Sequence, residues 1–164
     1  MLKKISKVLA LSLLTITIGA GTSFASNSVQ ENENSIIDKS RTPEISTTAV
    51  LKDEKAISAF ASGYTASSKM KVSFSNWRDP GKKYWGTATS SATRTIDYIQ
   101  ARARIYENGG LIGSAQDEAQ NSSYAGATAK GDSGLVAWDN HGIGNHRYED
   151  AGFKDIVHET RDDT

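Results

Sequence analysis

The chain has 164 residues, with 19 Lys and Arg against 19 Asp and Glu, and no cysteine. The missing thiols exclude disulfides and a lipid anchor on an N-terminal cysteine. Past the first ten residues the basic side chains are scattered, with Lys82-Lys83 the only adjacent pair, so no basic stripe argues for nucleic acid as a partner.

Residues 1–25 read as a secretory signal peptide. Lys3, Lys4 and Lys7 form a positive start, and Val8 to Ala20 is an apolar run too short for a dependable membrane span. Ser23-Phe24-Ala25 places small residues at −3 and −1 of a cleavage site before Ser26. No later run has spanning length, so the expected location is extracellular. The three lysines are the only charges in this segment, and the remaining chain of about 139 residues carries a net charge of about −3. That length suits one domain with its own core.

Residues 26–50 are polar, with only Val29, Ile36, Ile37, Ile45 and Val50 as large apolar side chains. Such a segment buries too little surface to offset its ordering entropy, so residues 26–52 read as a disordered lead or pro-segment, bounded at residue 52. The domain proper is expected over residues 53–164. Its first stretch, Lys52 to Ser62, is ambiguous: Ala56, Ile57, Phe60 and Ala61 fit one face of a short helix or the entry into a strand.

After Gly63 the period becomes two. Met70, Val72 and Phe74 alternate with Lys69, Lys71, Ser73 and Ser75. Trp77 to Gly81 reads as a loop broken by Pro80-Gly81, and residues 84–95 as a Thr-rich strand. From Tyr98 to Tyr106 the alternation is clearest: Ile99, Ala101, Ala103 and Ile105 on one face, Tyr98, Gln100, Arg102, Arg104 and Tyr106 on the other. Asn108-Gly109 predicts a tight hairpin, because both residues accept positive φ. Residues 111–117, 122–131, 134–142 and 144–150 supply further short strands. The fold class expected is all-β, a single antiparallel β-sandwich or small barrel.

Three constellations raise the question of chemistry. Gly131-Asp132-Ser133-Gly134 has the letters that surround a nucleophilic serine, and Asp155 and His158 have the spacing of an orienting carboxylate and its base. Yet His141, His146 and His158 all follow Ser133, the chain is too short for a two-barrel protease, and no helical period separates Ser133 from Asp155. The tetrapeptide therefore reads as a turn, in which Gly accepts positive φ while Asp and Ser bond their own backbone. Asp139, His141, His146, Glu149 and Asp150 offer metal-ligand chemistry, but His141 and His146 fall on opposite faces if they share a strand. No catalytic, metal or cofactor site is assigned. The candidate interaction surface is Trp77, Tyr84, Trp85, Tyr98, Arg102, Arg104 and Tyr106, because flat aromatic faces suit sugar rings and Tyr, Trp and Arg favour interfaces.

Trp85-Gly86-Thr87, Ile99 to Arg102, Tyr106 to Gly109, the polar run Gln116 to Ser123, and Ala137-Trp138 with His141 resemble small secreted all-β proteins of Gram-positive bacteria whose activity is uncharacterised. The resemblance spans residues 85–141. It implies an extracellular sandwich and supplies no activity and no catalytic residues. The function expected is a secreted, non-enzymatic β-sandwich that binds an extracellular partner such as wall polymer, matrix or another cell, with a bacteriocin- or toxin-like role as a sub-case. Two alternatives stand beside it. One is a small secreted hydrolase using Ser133 or the Asp139, His141 and His146 cluster. The other is a self-assembling biofilm- or spore-associated structural protein.

Overall fold

A computed structural model gives the fold. It describes residues 29–31, 33–52, 63–75, 83–132 and 139–163. Eight strands form one curled sheet: β1 (Val29–Glu31), β2 (Ser35–Asp38), β3 (Glu44–Thr48), β4 (Thr65–Phe74), β5 (Lys83–Glu107), β6 (Gly110–Asp132), β7 (Asn140–Glu149) and β8 (Asp155–Asp163). The order is β1-β2-β8-β7-β5-β4-β3, with β6 on the other side of β5. The chain is all-β, a half-barrel in the range between a sandwich and a small barrel. Its pairings are antiparallel apart from β2, which runs parallel to β8.

The framework is the β5–β6 hairpin. Its turn is the expected Asn108-Gly109, with φ of 49° and 79°, the two positive values that a tight hairpin turn demands. Each arm is one strand where the sequence suggested two, 84–95 and 98–106 in the first arm, 111–117 and 122–131 in the second. The halves stay joined because residues 92–95 hold no Gly or Pro to stop the strand; a register shift between Ser91 and Ile96 bends it instead. Asn121, with φ of 50°, lies opposite that bend. The first half of β5 pairs β4 and the second half pairs β7, so the bend folds the sheet onto itself. A smaller layer (β3, β4, the start of β5 and the end of β6) then packs on a larger one (the rest of β5 and β6, with β7, β8, β2 and β1).

The core lies between the layers. Ala66, Met70, Val72, Tyr84 and Ala88 meet Ile99, Ala101, Ala103, Ile105, Tyr148 and Ile156. The inward residues of 98–106 are the four apolar ones expected. Small side chains let the layers approach closely: a Cβ on Gly86 would lie 2.6 Å from the Met70 methyl and collide with Ile105.

Residues 33–50 do not form the disordered lead expected of them. They carry β2 and β3, with Ile36, Asp38 and Ile45 buried. A strand added to an existing edge gains backbone hydrogen bonds and an apolar neighbour at once, so one or two isoleucines suffice where a free-standing segment would need more. The link between β2 and β3 crosses the open side of the curl, where Arg161 N donates to Thr42 O at 2.9 Å and Met70 N to Pro43 O at 2.8 Å. The helix-or-strand stretch 53–62 lies outside the described residues.

Candidate functional site

Between the layers sits a row of polar side chains where an alternating pattern predicts apolar ones. Ser68 on β4, Ser90 on β5, His146 and Tyr148 on β7, and His158 and Thr160 on β8 are all shut off from solvent. Each sits in an inward register, since residues 66, 68, 70 and 72 of β4 are buried, as are residues 142, 144, 146 and 148 of β7, whose other face buries His141 alone.

Buried polar groups must find partners within the protein, and these do. The Tyr148 hydroxyl donates to Ser67 O at 2.8 Å, so its oxygen accepts from Ser68 Oγ at 2.7 Å. Ser68 Oγ thereby accepts from His158 Nδ1 at 2.7 Å, and His158 Nε2 is left to accept from Thr47 Oγ1 at 2.8 Å. The second chain repeats the logic: Ser90 Oγ donates to Gln100 O at 2.6 Å and accepts from His146 Nδ1 at 2.8 Å, while His146 Nε2 accepts from Thr160 Oγ1 at 2.8 Å. A hydroxyl has one proton to give, so each serine accepts from an Nδ1–H; burial keeps both imidazoles neutral, which leaves Nε2 as the acceptor. Burial drives the His146 pKa down to about 3, with His158 adding a smaller push in the same direction. Burial also lowers His158, to about 4, against an upward pull from Asp38. The Tyr148 phenol is pushed up to about 12 by the same loss of solvent.

Ser68 with His158 and Ser90 with His146 have the spacing of a nucleophile and its base. No substrate reaches them, because these side chains have essentially no exposed surface. The arrangement clamps the layers: Ser68 and Ser90 belong to the smaller layer, His158 and His146 to the larger. Sequence reasoning missed this role and left the C-terminal segment open. The signal was the alternation Ile156, His158, Thr160, which is a strand's inward face written with polar letters.

The earlier candidates take separate places. Ser133 lies outside the described residues. His158, its suggested base, has both ring nitrogens engaged in the core, and Asp155 is on the surface with Lys52 at 3.4 Å and Arg147 at 3.7 Å. His141 and His146 share β7 and point to opposite faces: His141 stacks on Tyr106, ring centroids 5.0 Å apart, with Nδ1 3.2 Å from Asp139. His146 has no ring nitrogen left for a metal. Among the described residues no group of three or more His, Asp and Glu is arranged to hold one. A recess of about 220 Å³ is lined by Asp97, Glu149, Asp150 and Asp155, but each carboxylate is engaged, with Ala151 N, Arg147, Arg94, and the pair Lys52 and Arg147 respectively.

The seven residues read as one interaction surface are not one surface. Trp77 lies outside the described residues. Tyr84 is fully buried and stacks on Phe74, with its pKa raised chiefly by burial. Tyr98, Arg102, Arg104 and Tyr106 share the outer face of the larger layer, where Tyr98 donates to Glu118 at 2.9 Å and Arg104 to Asn145 at 2.6 Å. Trp85 is on the outer face of the smaller layer, turned away from the other four by the bend in β5. A period-two reading cannot see this, because the outward set changes from odd to even residues across the bulge.

No protein-family model matches the chain, and no curated protein or solved structure matches it. No helix among the described residues is long and apolar enough to cross a membrane.

Proposed function

We propose that the chain is an exported, non-enzymatic binding module that docks onto an extracellular partner through its outer sheet faces. One observation carries the reading. The side chains that lie together in acid–base and nucleophile geometry, Ser68, Ser90, His146, Tyr148 and His158, are sealed between the layers, while the solvent-facing sheets carry Tyr, Trp, Arg and Lys among hydroxyls. Export rests on the positive, apolar and small-residue pattern of residues 1–25.

Edge-to-edge self-assembly is the weaker alternative. The end strands β1 and β3 are three and five residues long. On β6 the Asp117 carboxylate accepts from Gly126 N at 2.9 Å, covering a main-chain donor that strand pairing would otherwise use.

The test is a pull-down. Labelled protein beginning at Ser26 is incubated with washed bacterial cells, purified cell wall and insoluble polysaccharides, and growth is scored in parallel. Saturable capture on one of these is the expected result, and growth arrest with it would add an antibacterial role. Absence of capture on all of them would overturn the reading.

A further inference from the structure

The outer face of the smaller layer has a composition unlike the rest of the surface. Register sets its rows across β4, β5 and β6: Ser73, Trp85 and Lys130; Lys71, Thr87 and Thr128; Lys69, Thr89 and Gly126; Ser67, Ser91 and Tyr124. Ser46 on β3 continues the last row, its hydroxyl 3.0 Å from that of Ser67, and Thr87 and Thr128 are bonded at 3.0 Å. The four rows contain three lysines, two aromatic rings and a lattice of hydroxyls, and no carboxylate. Among the described residues three acids stand beside them: Glu44 on β3, which continues the third row 3.5 Å from Lys69, Asp117, which accepts from Gly126 N at 2.9 Å, and Asp132 opposite Lys83. Lys83 and Lys130, with Asp132, also line a shallow recess of about 190 Å³. On the outer face of the larger layer Arg104, Arg147 and Arg161 each stand beside Glu159, Glu149 or Asp163, whereas Lys71 and Lys130 have no acid at ion-pair distance among the described residues. The lysines are scattered in sequence and gather only when three strands align.

We infer that this face is the docking surface and that its partner is a linear acidic polysaccharide, an assignment that rests on the binding-module reading. Charge complementarity decides the sign of the partner, because the rows are cationic on a chain whose net charge is about −3 after residue 25. Lysines two residues apart on β4 are roughly 7 Å from each other, so charge is met at intervals along an extended chain rather than at one point. The hydroxyls between them suit sugar hydroxyls, and the Trp85 and Tyr124 rings offer flat apolar faces for pyranose carbons. A protein partner fits less well, since Lys and Ser are depleted at interface cores and the face offers no cluster of apolar anchors. A second copy would set lysine against lysine in a two-fold contact.

The experiment measures binding of the full mature protein to soluble polygalacturonate, with neutral dextran and duplex DNA as comparison polymers. Two variants accompany it: Lys71→Gln/Lys130→Gln on the face, and Lys39→Gln/Lys52→Gln, which removes the same charge elsewhere. All four lysines are exposed, so neither variant threatens the core. Expected are saturable, salt-weakened binding to polygalacturonate, none to dextran, weaker binding to DNA, and a loss of roughly tenfold in the face variant alone. Absence of polygalacturonate binding, equal losses in both variants, or DNA bound as tightly would each overturn the assignment. The cell and wall pull-down separates the two readings. If the parent and the face variant are captured equally, the binding module stands and the lysine face falls; if the parent is captured by nothing, the module falls with it.

Discussion

His146 and His158 are direct cross-strand partners on β7 and β8, and both imidazoles point into the core. Neither touches water, and each spans the layers through a serine of the opposite layer, Ser90 for His146 and Ser68 for His158. Two neutral histidines side by side form a clamp that holds only while both stay uncharged.

Acid should therefore open the fold. The folded pKa values, about 3 for His146 and about 4 for His158, lie below the ordinary 6.5, so the unfolded chain takes up protons first as pH falls. Stability is full above pH 6.5 and is lost progressively as pH falls toward 4 and then 3. Urea unfolding midpoints at several pH values between 7 and 4 check this. His158→Gln is expected to start less stable and to show a shallower decline, while a midpoint independent of pH would contradict the clamp.

Ser68 is the hub of one hydrogen-bond chain. Ser68→Ala leaves His158 Nδ1 without its acceptor and the Tyr148 oxygen without its donor, both buried. The expected cost is about 1–3 kcal/mol in unfolding free energy. Lys71→Gln, three residues along the same strand and exposed, should change it by less than about 0.5 kcal/mol.

The close approach of the layers at Gly86 is testable in the same way. Gly86→Ala places a methyl against Ile105 and Met70, and overpacking of this kind costs about 1–3 kcal/mol. A thermal melt of the variant is expected to shift down. An unchanged melt would mean that the two halves of β5 are not held this tightly.

No serine is expected to react with a fluorophosphonate probe in the native protein. Ser68 and Ser90 have imidazoles at 2.7 and 2.8 Å, but these donate to the serines and the site has no access. Labelling that disappears in Ser133→Ala would restore the hydrolase reading.

Much of the fold was legible where one rule governs the residues. Asn108-Gly109 forms the turn its φ preference demands, and the alternation of 98–106 separates the inner Ile and Ala from the outer Tyr and Arg. The rest depended on partners that lie far away in the sequence. Ile36 and Ile45 anchor strands because β8 and β4 present edges to them, and nothing nearby announces those edges. His158 and Thr160 are inward residues whose polarity hides the strand's period until Ser68 and His146 supply their partners. The candidate surface failed as a unit for a geometrical reason: one bulge turned Trp85 away from Tyr98 and Arg102. The same bend, with β4 and β6 alongside, brought Lys71 and Lys130 onto one face.

As a binding module, the chain is proposed to hold its partner without transforming it. The most direct measurement incubates the mature protein with whichever cell-wall or polysaccharide fraction captures it, following protein retention and release of soluble fragments together. Saturable retention with no fragment release above a protein-free control is the expected result. Release that grows with time and protein concentration, and is lost in Ser133→Ala, would contradict it.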